Sequence, residues 1–417
     1  MIRLMEALNF RCLRDIRQPL CRFHVLVGPN ASGKTTFLDI PAFLGRLVSD
    51  GLEAAVEERT KNFQDLVWGR TQDTVQLAIE AEIPEDRRQG LTDFDSIRYE
   101  VSIGFDPDTR ELAILDEKAL LKSEEPARPE QRALFPMDTK PRQTIMTEKR
   151  TKGYRWILSK ALGGNDNYYS EFRKKGGKGW FPSIKLGPRR STFGNLPEDE
   201  TKFPVSMWLK ELLTAGVQRL TLNSLLMRKA SPPGQVRRFR PDGSNLPWVI
   251  EDLVKRSKAG YEDWIAHIQT VLPDIENIRT VERPDDHHRY LVIRYRGGLE
   301  VPSWMASDGT LRLLALTLPA YLPDFKGVYL IEEPENGIHP RAVEAVFQSL
   351  SSVYDAQILL ATHSPVILSA VDAKDVLCFA KTPDGATDIV RGDNHPALRE
   401  WKGETNLGVL FAGGVLG

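Results

Sequence analysis

Apolar residues recur along the chain in two patterns, which predict an alternation of strands and helices. Residues 1–28 contain short apolar segments typical of two or three strands, with Asn9-Phe10-Arg11 at a turn between them. Residues 74–83 alternate between apolar and polar, which predicts a half-exposed strand with antiparallel neighbours at 97–105 and 111–121. Later strands are predicted over 217–222, 277–283, 290–295, 327–333 and 357–361. Helices are predicted over 37–47, 51–62, 204–215, 244–257, 261–272, 311–322 and 341–354.

Between residues 122 and 200 this periodicity is lost, and proline, glycine and charge become more frequent. Basic and aromatic residues are interleaved there, as in surfaces that bind nucleic acids. The alternative is a solvated insertion that its lysines keep soluble. The basic members are Lys149, Arg150, Lys152, Arg155, Lys160, Arg173, Lys174, Lys175, Lys178, Lys185, Arg189 and Arg190, and the aromatic ones are Tyr154, Trp156, Tyr168, Tyr169, Trp180 and Phe181.

A glycine-rich loop follows the apolar segment 22–27 and precedes the helix predicted from residue 37. Residues 28–35 match the pattern G-x-x-x-x-G-K-[ST]. A strand, such a loop and a helix leave backbone N–H groups converging at a helix N-terminus, where a polyphosphate binds. We expect Lys34 to contact the β- and γ-phosphates and Thr35 to bind Mg²⁺. The alternative is an ordinary glycine-rich turn. The candidate binding residues are Asn30, Ala31, Ser32, Gly33, Lys34, Thr35 and Thr36.

Two later segments end in side chains that suit the same site. The apolar segment 327–333 ends in Glu332 and Glu333, and a charged end of a buried parallel strand marks the ligand edge of a sheet. We expect Glu332 to order the water shell of Mg²⁺ and Glu333 to orient the water that attacks the γ-phosphate. His363 follows the strand predicted over 357–361, so it is expected at the same edge, near the γ-phosphate. The candidate catalytic residues are Lys34, Glu333 and His363.

The N-terminus of a second predicted helix has residues typical of an anion-binding site. Ser307 is expected to cap the helix predicted over 311–322, and Gly309 leaves its backbone open. This segment lies far from the phosphate loop in the sequence and just before the acidic strand.

Taken together, these motifs resemble the ATP-binding-cassette (ABC) ATPases of the SMC, Rad50 and RecF kind. The most similar branch is that of bacterial AAA-type ABC ATPases, related to the ATPase half of the OLD (overcoming lysogenization defect) nucleases. The matching segments are Asn9-Phe10-Arg11, Gly28-Pro29-Asn30 with the rest of the phosphate loop, Ser307-Asp308-Gly309, Glu332-Glu333-Pro334 and Ala361-Thr362-His363-Ser364.

This resemblance implies an α/β fold, the ABC-ATPase head: a mixed, largely parallel sheet with the phosphate loop, plus an antiparallel β lobe. A compact basic insertion replaces the coiled coil. The implied regions are an N-terminal ATPase lobe (1–121), an insertion or helical lid (122–275) and a C-terminal ATPase lobe (276–417). The resemblance also implies ATP and Mg²⁺ as cofactors.

In such ATPases two subunits sandwich two nucleotides. The resemblance therefore implies that Ser307 and Gly309 act on the γ-phosphate held by a second copy. Glu333 would be the general base and His363 the γ-phosphate sensor, while Arg11 would reach the phosphates or the adenine side. Glu332 stands where the wider family usually has Asp. The resemblance also implies a glutamine that completes the metal site. Its identity stays open, and the candidates are Gln64, Gln218 and Gln235.

Composition, charge and length limit the classes of function that this chain can have. The formal net charge is -1, so a nucleic-acid surface would have to be local. The three cysteines are scattered and no apolar run approaches a membrane span, so we expect a soluble cytoplasmic protein without a signal peptide. About fifty residues follow His363, too few for the Toprim nuclease of OLD proteins, and long heptads are absent.

The leading hypothesis is a dimerising ATP-hydrolysing switch that senses nucleic acid and controls a separately encoded effector, such as the nuclease of a bacterial anti-phage system. A close variant is a RecF-like DNA-repair ATPase. The alternatives are the ATPase subunit of a membrane transporter, which the basic middle region disfavours, and a scaffold that binds ATP without hydrolysing it.

Overall fold

The computed structural model describes residues 1–91, 93–123, 134–148, 153–172, 183–399 and 407–412. Its strands are β1 (Ile2–Phe10), β2 (Leu13–Pro19), β3 (Phe23–Val27), β4 (Thr74–Glu82), β5 (Ser96–Phe105), β6 (Leu112–Lys122), β7 (Tyr154–Ala161), β8 (Asn167–Tyr168), β9 (Val217–Leu220), β10 (Ile275–Glu282), β11 (Arg289–Tyr295), β12 (Glu300–Pro302), β13 (Gly327–Glu332), β14 (Ala356–Ala361), β15 (Val376–Lys381) and β16 (Thr387–Arg391).

Among the described residues, the helices comprise the seven predicted ones, with ends shifted by up to about five residues, and four short ones that were not predicted. They are α1 (Lys34–Asp50), α2 (Leu52–Glu57), α3 (Pro204–Glu211), α4 (Ser224–Arg228), α5 (Leu246–Arg256), α6 (Lys258–Val271), α7 (Asp308–Thr317), α8 (Pro340–Ser351), α9 (Pro365–Ala370), α10 (Pro396–Arg399) and α11 (Leu407–Ala412). In the part of the chain that the structure describes, every helix is too short or too polar to span a bilayer.

Within these residues the strands form three sheets. The first has the order β2-β1-β4-β5-β6-β7-β8 and is antiparallel throughout. The second has the order β16-β15-β3-β14-β13-β9; its strands are parallel except for β16. The third, β10-β11-β12, is a small antiparallel sheet. This mixed α/β arrangement confirms the predicted fold class.

The parallel sheet is the scaffold on which the site is built. Its central strand β14 is buried along its whole length, as expected of a strand covered on both faces. The helix α1 and the antiparallel sheet cover one face, where Phe37 and Leu330 share a core cluster. The helices α5 to α8 cover the other face, where Tyr329 and Ile331 belong to a second cluster.

The prediction that residues 74–83 form a half-exposed strand was wrong about exposure. Most of β4 is buried, because the segment 138–148 crosses the polar face of its sheet. Ile145 N donates a hydrogen bond to Gln76 Oε1 over 2.9 Å, and Ile145 packs with Leu8 and Ala78. The period-2 pattern identified the strand, but it could not reveal that another part of the chain covers its polar side.

The antiparallel sheet also continues into the region where sequence periodicity is lost. The strand β7 pairs with β6 and carries β8 at its outer side. Farther along the chain, β9 pairs with β13 at the edge of the parallel sheet. The middle of the chain therefore contributes strands to both of the large sheets.

Candidate functional site

The phosphate loop connects β3 to α1 in a conformation that only certain residues tolerate. Gly28 and Gly33 have φ of 150° and 106°, and Ala31 has φ of 61°. A Cβ atom at Gly28 would lie 2.2 Å from the carbonyl oxygen of Phe379, and one at Gly33 would lie 2.3 Å from Thr387 Oγ1. Glycine is therefore required at both positions by backbone geometry and by close packing against β15 and β16.

Lys34 is the first residue of α1, and its side chain turns back over the loop. Its Nζ donates hydrogen bonds to the carbonyl oxygens of Gly28, over 2.7 Å, and Pro29, over 2.9 Å. Burial lowers the pKa of Lys34 to about 8, although the nearby carboxylates of Glu333 and Glu332 favour the charged form. Lys34 is therefore mainly charged at neutral pH, with its ammonium group bound to two backbone oxygens.

Residues from both ends of the sequence stabilise the phosphate loop. Thr387 Oγ1 donates a hydrogen bond to the carbonyl oxygen of Ser32 over 2.8 Å. The backbone N–H of Thr387 donates to the carbonyl oxygen of Cys12, whose Sγ lies 3.6 Å from Thr36 Oγ1. Sequence reasoning missed Thr387 and Cys12, because their positions relative to the loop depend on the sheet order.

The two predicted metal-binding side chains touch each other. Thr35 Oγ1 donates a hydrogen bond to Glu332 Oε2 over 2.6 Å. The other carboxylate oxygen, Oε1, accepts a hydrogen bond from the guanidinium of Arg219 on β9. Arg219 is a third residue that sequence reasoning missed, since no local pattern marks a single arginine in a short strand.

Glu333 follows β13 in a left-handed backbone conformation, with φ of 47°. Its N–H donates to the carbonyl oxygen of Ala361 over 2.8 Å, and its Oε2 accepts a hydrogen bond from the side-chain amide of Asn336. A left-handed conformation is uncommon outside glycine and is concentrated at functional sites. Glu333 is therefore held at the carboxyl edge, beside the end of β14.

The loop that carries His363 is tied to the loop after β13 by Glu335. Glu335 Oε1 accepts hydrogen bonds from Thr362 Oγ1, over 2.6 Å, and from His363 N, over 3.0 Å. Burial and the charge of Lys34 lower the pKa of His363, while Glu333 and Glu335 oppose that shift. The imidazole is therefore mainly neutral at neutral pH. Glu335 was not singled out from the sequence.

The predicted helix cap at Ser307 is present. Ser307 Oγ accepts a hydrogen bond from Thr310 N over 3.1 Å, and the side chain is exposed. A Cβ atom at Gly309 would lie 2.8 Å from the carbonyl oxygen of Gly337, in the loop after β13. Arg228 pairs with Asp308 over 2.6 Å. The start of α7 therefore packs against the loop that follows Glu333 and presents Ser307 outward.

The structure places Arg11 beside α1. Its Nη1 lies 3.6 Å from Asp39 Oδ2, and Arg59 binds the same carboxylate through two hydrogen bonds of 2.7 and 2.6 Å. The predicted contact of Arg11 with a nucleotide stays a prediction. The three candidate glutamines are likewise undistinguished: among the described residues, the side-chain oxygens of Gln64, Gln218 and Gln235 are each buried without a hydrogen-bond partner.

These residues fit a magnesium–nucleotide complex. Hydroxyl and carboxylate oxygens, as in Thr35 and Glu332, are the ligands that Mg²⁺ prefers, usually one or two per site with water and phosphate completing its shell. Consistent with so few protein ligands, the described ranges contain no cluster of three or more His, Cys, Asp or Glu side chains able to hold a metal. Ser32 Oγ is buried in the loop without a partner in the described structure, as a group awaiting a ligand would be.

The described members of the basic and aromatic set have largely structural contacts. Lys160 is buried and pairs with Asp166, Tyr168 is buried, and Arg189 pairs with Glu53 and Glu111. Lys185 and Arg190 are exposed. The remaining members that lie outside the described residues are Lys149, Arg150, Lys152, Arg173, Lys174, Lys175, Lys178, Trp180 and Phe181.

Two solved structures share this fold. One is described as "Crystal structure of the SmcHead bound to the C-winged helix domain of ScpA"; it is 14% identical over 93% of this chain and 97% of that chain, with a TM-score of 0.54. The other is an Smc head domain with an extended coiled coil bound to the C-terminal domain of ScpA, derived from Pyrococcus furiosus. It is 13% identical over 93% of this chain and 95% of that chain, with a TM-score of 0.51.

The sequence itself matches a protein family. The family is described as "AAA domain, putative AbiEii toxin, Type IV TA system", and the match covers residues 23–369. This range runs from the strand before the phosphate loop to the helix after His363. Because it spans most of the chain, the protein belongs to this AAA family, and its fold is that of the SMC head domains.

Proposed function

We propose that this protein binds and hydrolyses ATP, that two copies close around two nucleotides, and that this closure switches a separately encoded effector. Lys34 and the loop N–H groups would hold the triphosphate, and Thr35 and Glu332 would hold Mg²⁺. Bound Mg²⁺ would neutralise part of the phosphate charge. Glu333 would accept a proton from the attacking water, and the neutral imidazole of His363 would hydrogen-bond the γ-phosphate.

The observation that carries this proposal is the hydrogen bond between Thr35 and Glu332. These residues are 297 positions apart, yet their side chains meet over 2.6 Å at the first turn of α1. Glu333 and the histidine loop lie at the same sheet edge, linked by the 2.8 Å bond from Glu333 N to Ala361 O. A purely structural glycine-rich turn does not require this convergence.

The surface around Ser307 supports closure of two copies. Trp304 and Met305, just before Ser307, are 47% and 70% exposed. Exposed aromatic and methionine side chains beside an anion-binding helix end are typical of a contact surface. A second copy that presents its phosphate loop to this surface would cover these side chains and complete its nucleotide site.

The effector is proposed from the family resemblance and from the neighbours of similar fold, and no contact among the described residues carries it. The description of the matched family names a putative AbiEii toxin and a type IV TA system, and the SMC heads of similar fold were solved with a domain of ScpA bound. Both descriptions involve a second component, which is compatible with an effector encoded elsewhere; a nuclease of an anti-phage system is the candidate that we propose. Among the described residues, contact with DNA or RNA would use the exposed Lys185 and Arg190.

Substitution of Glu333 by Gln tests this function. It keeps the shape of the side chain but removes the base, so ATP turnover should fall by roughly 100-fold or more, while ATP binding persists. With hydrolysis blocked, ATP should convert the protein from one copy to two in light scattering. Duplex DNA, single strands and RNA would be added separately to the wild-type ATPase assay.

The matched control is Glu344→Gln on the exposed side of α8, which should turn over ATP like the wild type. Full turnover by Glu333→Gln would exclude Glu333 as the base. A Glu333→Gln protein that stays a single copy with saturating ATP would contradict the closure of two copies. Absence of stimulation or binding by every nucleic acid would remove that part of the proposal.

A further inference from the structure

Arg219 lies on the edge strand of the parallel sheet, next to the acidic strand. The strand β9 runs parallel to β13, with Arg219 opposite Leu330. Alternation along a strand places Leu330 and Glu332 on one face, and Leu330 packs there in the same cluster as Phe37 of α1. Arg219 therefore points to the face that α1 covers, where Thr35 lies.

The carboxylate of Glu332 is shared between two partners on this face. One oxygen accepts the Thr35 hydroxyl over 2.6 Å, and the other accepts the guanidinium of Arg219. Among the described residues, neither Glu332 nor Arg219 forms an ion pair with any other side chain. The side chain of Glu332 is 25% exposed and that of Arg219 is 43% exposed, so solvent screens the pair only in part.

A metal ion at this site would need the charge that Arg219 already neutralises. Two cations beside one carboxylate repel each other, most strongly where water is partly excluded. Mg²⁺ binds one or two carboxylates and keeps several waters, so it requires Glu332 in a fixed orientation with its charge available. The glutamate arm, longer by one methylene than aspartate, lets one oxygen reach β9 while the other stays at Thr35.

We propose that Arg219 is a positioning residue that orients Glu332 and competes with the divalent metal for its negative charge. This inference rests on the proposed function, because it concerns the metal that accompanies the nucleotide. Arg219 would then set how much metal is needed to load the site. β9 lies in the middle of the sequence, so this part of the chain would contribute a residue that sets the metal affinity of the site.

The test measures metal binding and needs no turnover. Mn²⁺ replaces Mg²⁺, and free Mn²⁺ is titrated by electron paramagnetic resonance in the presence of a non-hydrolysable ATP analogue. Arg219→Gln removes the competing charge but keeps an N–H donor that can orient Glu332, so Mn²⁺ should bind at least roughly threefold more tightly than to the wild type. Arg219→Lys keeps the charge and should bind within about twofold of the wild type.

The matched control is Arg46→Gln, an exposed arginine on α1 that pairs with Asp50, which should leave Mn²⁺ affinity unchanged. Equal or weaker binding by Arg219→Gln would overturn the competition. If the wild type binds no Mn²⁺ with the nucleotide, the proposed function and this inference both fail. If the wild type binds Mn²⁺ and all three variants match it, only this inference fails. Thermal unfolding of each variant establishes that its site is folded.

Discussion

Burial and nearby charge act on Lys34 in opposite directions. The loop removes the ammonium group from water, which lowers its pKa to about 8 despite the carboxylates of Glu333 and Glu332. A bound triphosphate would stabilise the charged form and raise this pKa again. Nucleotide binding should therefore be coupled to the protonation of one lysine.

This coupling predicts a pH dependence. Near pH 7 Lys34 is already charged, so ATP binding should take up almost no proton. Above about pH 8 the free lysine is increasingly neutral, so binding should take up a proton and affinity should fall, at most about tenfold per pH unit. Calorimetry in two buffers of different ionisation enthalpy measures the proton uptake. The same proton uptake at pH 7 and pH 9 would contradict this coupling. The control is Lys255→Met, which changes an exposed lysine and should bind ATP like the wild type at each pH.

At the scale of elements, the phosphate loop depends on strands from the other end of the chain. β15 and β16 leave no room for a side chain at Gly28 or Gly33, and Thr387 of β16 donates a hydrogen bond to the carbonyl oxygen of Ser32. β15 and β16 therefore fix the conformation of the phosphate loop before any ligand binds, which lowers the entropic cost of binding.

Thr387→Val tests this support, because it replaces the hydroxyl by a methyl group of similar size. The lost hydrogen bond, about 1 kcal/mol, should weaken ATP binding by roughly fivefold, with a small fall in the thermal unfolding midpoint. Fluorescence titration with a labelled ATP analogue measures the affinity. Thr387→Ser retains the hydroxyl and should bind like the wild type, and equal affinity of all three proteins would show that the loop keeps its shape unaided.

At the scale of the whole molecule, a buried ionic network joins the antiparallel sheet to the segment that covers it. Arg98 pairs with Glu6, Glu80 and Glu100 at distances between 2.5 and 3.2 Å. Arg98 also donates to the carbonyl oxygen of Ile145 over 2.9 Å. Burial alone would raise the pKa of Glu6, but Arg98 and Arg142 hold it below its ordinary value. This contribution to stability is present above about pH 4.5 and is lost as pH falls through the lowered pKa.

Arg98→Met is expected to be strongly destabilising. It leaves three carboxylates buried without their main counter-charge, which costs about 3–5 kcal/mol of unfolding free energy. Urea denaturation at neutral pH measures the loss. Arg279→Met, which breaks the exposed pair with Glu300, is the matched control and should leave the midpoint nearly unchanged. Equal midpoints for both variants would show that the buried network adds no stability.

Local patterns predicted a large part of this architecture. The glycines of the phosphate loop, the acids after β13 and the histidine after β14 are recognisable because each follows a short apolar strand. Parallel strands bring their carboxyl ends to one edge, so their convergence could be anticipated. The cap at Ser307 was predictable for a similar reason, since capping depends on residues only three positions apart.

The remaining contacts of the site depend on which strands are neighbours. Arg219 reaches Glu332 because β9 pairs with β13, and Thr387 reaches Ser32 because β15 pairs with β3 and β16 pairs with β15. The burial of β4 depends in the same way on the segment 138–148, and no period in the sequence records it.

By itself the sequence determined the type of each element and the chemistry at its end, because both follow from residues close together in the chain. The tertiary structure decided which side chains orient the catalytic ones, since these contacts join residues a hundred or more positions apart and depend on sheet order and packing. Glu335 is the intermediate case: it is near Glu333 in the sequence, but only the adjacency of β13 and β14 brings it to His363.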